Sequence, residues 1–295
     1  MSTNSQTENQ KEIKKENWFS RPWKFFLSEA ILFSLTLGLG IAAAFKINQF
    51  LEIQKIEVKP LSFWQFIISF ALATLIVFLI LRFVRLKKGK LILFKTLFVF
   101  AVFLGGIIFL SLWIGDILAL LVILVLIIFW LKSPNVLVHD FLLITGMAGI
   151  GSSLGLKLDP LVIVLLLVIF SIYDWVAVYK TKHMVKMAKA MLESGAILGL
   201  ILPSQIGSFS EDIKKVKPGG KFLVLGGGDI IFPLILCSSL IPQGIANSLI
   251  VGLFALVGLF VSFLIFIKQK TRKPIPALPP IALFSIIGYF LTRII

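Results

Sequence analysis

From Thr96 to Leu131 the chain carries one charged side chain, Asp116, in a run that is otherwise almost wholly apolar. At about 1.5 Å of rise per residue, this run is too long for a single bilayer-crossing helix. It is also too apolar for a helix with one face in water. Two spans separated by a tight turn at Gly115-Asp116 satisfy both constraints. The rest of the chain repeats the pattern. Hydrophobic residues make up 58% of the 295 residues, mean hydropathy is +1.03, and charged residues are 15%, against roughly 25% in an ordinary soluble domain. A soluble globular enzyme, a disordered chain and a fibrous repeat are all excluded by these values. The single cysteine, Cys237, excludes a disulfide framework and a cysteine-ligated zinc site.

A crossing helix needs about 20 mostly apolar residues. Nine segments qualify: 25–45, 62–81, 93–114, 117–131, 135–156, 160–179, 221–241, 246–267 and 275–292. The fourth is short, with Lys132 placed to snorkel at its end. The fifth carries His139 and Asp140 near its start. Nine spans divide the tails and loops into two sets. The N-terminal tail and the loops after spans two, four, six and eight hold 24 Lys and Arg; the other set holds 5, which completes the 29 in the chain. The positive-inside rule then puts the N-terminus in the cytoplasm and the C-terminus outside. The net charge of +15 is thus an orientation signal, with some attraction to anionic lipid. Nucleic acid is a poor partner for it, because the charges are scattered over separate loops without a binding motif.

The expected organisation is a cytoplasmic polar tail over 1–24, five spans over 25–156, a sixth over 157–180, a cytoplasmic loop over 181–220 and three final spans over 221–295. No cleavable signal peptide is expected, since the tail leads into an apolar run long enough to stay as an anchor. Within the loop, Thr181 to Leu202 sets Met184, Met187, Ala188 and Met191 against Lys182, Lys186 and Lys189. This is the pattern of an interfacial amphipathic helix.

Apart from Glu29 and Asp140, near the starts of spans one and five, two acids sit inside spans. Asp174 lies in Leu161–Tyr179, and Asp229 is the only charged residue of Phe222–Ile241. An intramembrane carboxylate is expensive, so function is its default reading. Asp174 is six residues before Lys180, and Asp229 is eight residues after Lys221. At helical rise they lie about 9 and about 12 Å from the cytoplasmic surface. Two antiparallel spans would hold them at similar depth. Facing each other, they would keep one proton between them near neutral pH. That state suits an aspartyl protease, in which the ionised acid takes a proton from water and the protonated one polarises a carbonyl. A proton-sharing pair that locks two helices, or a carboxylate of a proton-coupled transporter or channel, fits the two acids equally well.

The neighbouring residues separate these readings. Asp174 follows Tyr173 and precedes Trp175-Val176-Ala177-Val178-Tyr179-Lys180-Thr181-Lys182-His183-Met184. Asp229 closes Gly226-Gly227-Gly228-Asp229, a G-x-G-D pattern, and Pro276-Ala277-Leu278, extended by Pro279, opens the last span. This ordered set resembles the presenilin and signal peptide peptidase group of intramembrane aspartyl proteases, and the Tyr-Asp stretch looks most like the prokaryotic, archaeal-type presenilin homologues. The resemblance implies an all-α, nine-span presenilin-like fold and an endopeptidase that cuts transmembrane segments of other proteins. It implies Asp174 and Asp229 as catalytic pair, Tyr173, Gly226 and Gly228 as active-site support, and Pro276, Ala277 and Leu278 at the substrate. No cofactor or metal is implied. The partners would be transmembrane helices of substrate proteins and the lipid bilayer, in a prokaryotic plasma membrane. It leaves open whether auxiliary subunits take part. The positive-inside count favours the presenilin orientation, with type I substrates, over the inverted signal peptide peptidase one.

Each motif also has a direct physical reading. Gly226 and Gly228 leave no side chain beside the acid, so backbone can approach closely. Pro276 and Pro279 lack N–H groups, so the last span is expected to open with an irregular, extended segment. Elsewhere, Glu29 is expected among headgroups and Cys237 as a small buried hydrophobe. His139 and Asp140 do not make a metal site, since the chain has two histidines and no adjacent ligands.

Overall fold

The computed structural model describes residues 22–56, 59–83, 87–181, 183–203, 206–216, 222–269 and 274–294. The 1–21 part of the polar tail, Lys182 and Lys221 lie outside the described residues, as do the side chains of Met184, Lys186 and Lys189. The described helices are α1 (Pro22–Ile53), α2 (Phe63–Phe83), α3 (Lys87–Ile114), α4 (Asp116–Lys132), α5 (Val136–Gly155), α6 (Pro160–Tyr179), α7 (His183–Ser194), α8 (Gly227–Ser239), α9 (Ile245–Ile267) and α10 (Leu278–Leu291). Five of them, α1, α3, α5, α6 and α9, contain stretches long and apolar enough to cross a membrane, and α2, α8 and α10 hold shorter apolar stretches. A two-stranded hairpin, β1 (Gly199–Pro203) and β2 (Phe222–Gly226), lies between α7 and α8.

Local chemistry sets the helix boundaries. The long apolar run breaks at Gly115, whose φ of 79° is open to glycine at little cost. Asn135 caps α5, its side chain accepting from the Val138 N–H at 2.9 Å. Asp159 caps α6 by accepting from the Leu161 N–H at 2.8 Å, with Pro160 at the first helical position. Pro is suited there because that N–H has no partner within the helix.

Helix α5 is the hub. It packs against α1, α3, α8 and β1, and 78% of its apolar window is buried inside the protein. Its polar residues His139 and Asp140 are therefore enclosed by protein rather than lipid. Close approach of α3 and α5 depends on small residues: a Cβ at Gly105 or at Gly149 would collide with backbone of the opposite helix. Such contacts let membrane helices associate by van der Waals packing. At the periphery, α4 exposes Ile117, Leu118, Leu121, Val125 and Ile128, an apolar face suited to lipid.

The hairpin corrects the all-α expectation. The span expected at 221–241 begins as strand β2 and turns helical only at Gly227. The amphipathic helix expected to reach Leu202 stops at Ser194, where Gly195 adopts φ 69°. Both strands, Gly-Leu-Ile-Leu-Pro and Phe-Leu-Val-Leu-Gly, are short apolar runs that periodicity does not separate from helix. The strands pair antiparallel, Gly199 with Gly226 through Pro203 with Phe222. One further bond, Gly227 N–H to Leu198 O at 3.0 Å, fixes the parity of the ladder. Hydrogen-bonded pairs alternate, so Leu200 and Leu202 face Leu225 and Leu223 across the ladder. The backbone groups of Gly199, Ile201 and Pro203 point out from β1, and those of Phe222, Val224 and Gly226 point out from β2. Strand β1 is wholly buried, whereas β2 is partly exposed.

Candidate active site

The strand-to-helix change at Gly226-Gly227 carries Asp229 into the first turn of α8. Because strand precedes it, the helical-rise depth of Asp229 does not hold; strand residues rise about 3.3 Å each. Gly226 is the N-cap of α8, with extended φ −60° and ψ 137°, which any residue can adopt. Its importance is spatial. A Cβ there would stand 2.9 Å from Asp229 Oδ2. The Gly226 N–H, released from the ladder by parity, is directed at the Asp229 carboxyl. This is the reach-back of a capping box, with the acid at the third helical position.

Asp174 reaches the same place from α6. Phe170 and Phe232 stack, with centroids 4.5 Å apart and an interplanar angle of 25°. Asp174 is one turn beyond Phe170, and Asp229 is one turn before Phe232. On antiparallel helices both offsets run the same way, so the two carboxyls sit at one level above the stacked rings. They lie within electrostatic reach of each other, and both are buried, 5% and 9% exposed. The backbone N–H of Leu278 is directed at the Asp174 carboxyl. Asp174 Oδ2 has no hydrogen-bond partner among the described residues. Burying a carboxyl oxygen in that condition is costly, and Asp140 Oδ2 on α5 is in the same condition.

The third motif closes the site. Residues 274–277 have no regular secondary structure, and α10 starts at Leu278. Pro276 and Leu278 are buried, and Ala277 is partly exposed. Helix α10 packs against α6 and α8, so the Pro-Ala-Leu turn sits at the helices that carry the two acids. Gly228 is exposed, and a Cβ there would meet only the Phe232 ring, at 3.7 Å. An apolar cavity of about 170 Å³ lies beside the glycine turn, lined by Val102, Met147, Leu198, Gly227, Gly228 and Ile231.

Tyr173 is 57% exposed, about 100° around α6 from the buried Asp174. One placement differs from expectation. Glu29 does not stand apart among headgroups. It is within electrostatic reach of Asp229, on a helix that packs directly against α8; beside it, Ser28 Oγ donates to Pro203 O of β1 at 3.2 Å. Among the described residues no group of His, Cys, Asp and Glu is arranged to hold a metal ion.

The family model described as signal-peptide peptidase, presenilin aspartyl protease matches residues 29–295. No curated protein sequence matches the chain. Two solved structures share the fold. A presenilin family intramembrane aspartate protease in a C222 crystal form superposes with TM-score 0.60 at 23% identity, covering 92% of this chain and 98% of its own. The structure of a presenilin family intramembrane aspartate protease in a P2 crystal form gives TM-score 0.55 at 24% identity, with 89% and 96% covered.

Proposed function

The chain belongs to the signal-peptide peptidase and presenilin family of aspartyl proteases, and from that premise we propose that Asp174 and Asp229 are the catalytic pair of this intramembrane protease. The observation that carries the assignment is their common level above the Phe170–Phe232 stack, on helices joined by the Pro-Ala-Leu turn. In the mechanism, the pair shares one proton. The ionised carboxylate takes a proton from water as its oxygen attacks the scissile carbonyl carbon. The protonated carboxyl donates to the carbonyl oxygen as negative charge develops there. Collapse of the tetrahedral intermediate breaks the C–N bond, and the proton held by the general base passes to the leaving amine. No cofactor takes part.

A helical substrate hides its carbonyls in its own hydrogen bonds, so it must unwind before attack. The outward groups of Phe222 and Val224 on β2 offer an unwound segment a strand to pair with. Gly228, with no side chain, leaves backbone room beside Asp229. Pro276, Ala277 and Leu278 bound the substrate on the α10 side, and the apolar cavity takes an apolar side chain. We assign nine spans with the N-terminus cytoplasmic and the C-terminus outside, in a prokaryotic plasma membrane, with substrates of type I orientation. The tail over 1–24 and the loop over 181–220 would face the cytoplasm. The 24-to-5 distribution of Lys and Arg supports this orientation. A reporter fused to the N-terminus and read from outside the cell would reverse it.

The test is cleavage of a transmembrane substrate by the chain alone in liposomes. Asp174→Ala and Asp229→Ala are both expected to be inactive, and full activity in either removes the assignment. Proton-linked solute flux without proteolysis would instead favour a transporter.

A further inference from the structure

Asp140 is the buried acid that the mechanism does not use. It sits on α5, 2% exposed, and its Oδ1 accepts from the Ile201 N–H at 2.9 Å. That N–H is one of the outward groups of β1, the ones that the hairpin ladder leaves unpaired. Two residues on, the outward Pro203 O accepts from Ser28 of α1, and Pro203 itself has no N–H to satisfy. At the other end, the imidazole of His139 is turned toward the backbone of Ile197 and Gly199. Neither of its nitrogens completes a hydrogen bond among the described residues. The ring is fixed instead by stacking on Phe98, with centroids 4.7 Å apart and an interplanar angle of 7°. The outer edge of β1 is thus taken up by side chains from α5 and α1, and β1 is buried along its whole length. Only β2 keeps an open edge.

An acid buried in a membrane helix is costly; Oδ1 of Asp140 is used, while its Oδ2 has no hydrogen-bond partner among the described residues. The use made of Asp140 is specific, because what it holds leads straight to the site. Strand β1 is paired residue for residue with β2. The last pair, Gly199 with Gly226, and the bond from Gly227 N–H to Leu198 O set the turn from which Asp229 projects. We propose that Asp140 is a positioning residue for the cleavage reaction: by holding the outward N–H of Ile201 it anchors β1 to α5, and through β2 it fixes the Gly226–Asp229 turn against Asp174. The proposal rests on Asp229 being catalytic.

The experiment measures kcat and KM for cleavage in liposomes, below the unfolding midpoint of each variant. Asp140→Asn keeps an oxygen acceptor and is expected to retain kcat within about twofold. Asp140→Leu removes the acceptor and is expected to lower kcat by roughly ten- to a hundredfold, with KM nearly unchanged, since small misplacements of a catalytic group cost that much. Ile201→Pro removes the donor at a position whose N–H lies outside the β1–β2 ladder. Measured against Ile201→Val, it is expected to give the same loss, and adding Asp140→Leu to it should lower kcat no further. Wild-type kcat in Asp140→Leu, equal losses in Asp140→Asn and Asp140→Leu, or losses that multiply in the double variant would each overturn the proposal. If Asp140→Leu does not fold, Ile201→Pro decides: wild-type kcat there overturns it. Asp229→Asn is measured alongside. If it is inactive while Asp140→Leu is normal, only the positioning role fails; if it is active, the catalytic pair itself is wrong.

Discussion

Gly226→Ala adds one carbon at the point where the site has least room. The new Cβ would stand 2.9 Å from Asp229 Oδ2 and 3.6 Å from its Cγ. Ordinary contact begins at 3.4 Å, so the carboxyl oxygen must retreat by about 0.5 Å, which is the tolerance for a catalytic group held in productive geometry. The backbone at Gly226 is extended, with φ −60°, so alanine adds no conformational strain. The flexible carboxyl yields, and the fold does not. The expected result is a kcat about ten- to a hundredfold below wild type, equivalent to roughly 1.4–2.7 kcal/mol of lost transition-state stabilisation. KM and the unfolding midpoint should change little. The assay is steady-state cleavage of a transmembrane substrate in liposomes, with thermal unfolding followed in the same preparation. Wild-type kcat in Gly226→Ala would refute the placement of Asp229 against this glycine. A fall in the unfolding midpoint that accounts for the whole loss would refute the claim that the effect is local.

Gly228→Ala is the contrasting case: its Cβ meets only the Phe232 ring at an ordinary 3.7 Å, so unfolding should be unchanged and any fall in cleavage should appear in KM, through substrate approach. Phe170→Ala and Phe232→Ala remove the stacked pair beneath the carboxyls. A double-mutant cycle on unfolding free energy should return a coupling of about 0.5–1.5 kcal/mol, and additive losses would mean that the rings do not set the level of the two acids. Leu278→Ala empties a buried position, 4% exposed, in the apolar cluster shared by α6, α8 and α10. It should cost about 2–5 kcal/mol of stability and lower kcat at temperatures where the variant is still folded.

The acids were readable because charge is so rare in this chain that Asp174 and Asp229 stand out without any structure. The break at Gly115 and the non-helical opening of the last span were equally local, since each follows from one residue type. The hairpin was not legible. Phe-Leu-Val-Leu-Gly continues into an apolar helix with no change in hydropathy, and its strand form depends on a partner 19 to 27 residues earlier in the chain. The surroundings of Glu29 are illegible for a related reason. They are set by α8, an element distant in the chain, so an acid expected among headgroups lies within electrostatic reach of Asp229.

The central claim is that two carboxyls act together as one site. The most direct measurement is the affinity of an aspartyl-protease transition-state analogue for the reconstituted protein, compared with Asp174→Asn and Asp229→Asn, each of which keeps the shape of its side chain while removing its acid. The account predicts tight binding to the wild type and loss of binding in both variants, because a mimic of the tetrahedral intermediate needs a donor and an acceptor carboxyl at once. Undiminished binding to either variant would contradict it.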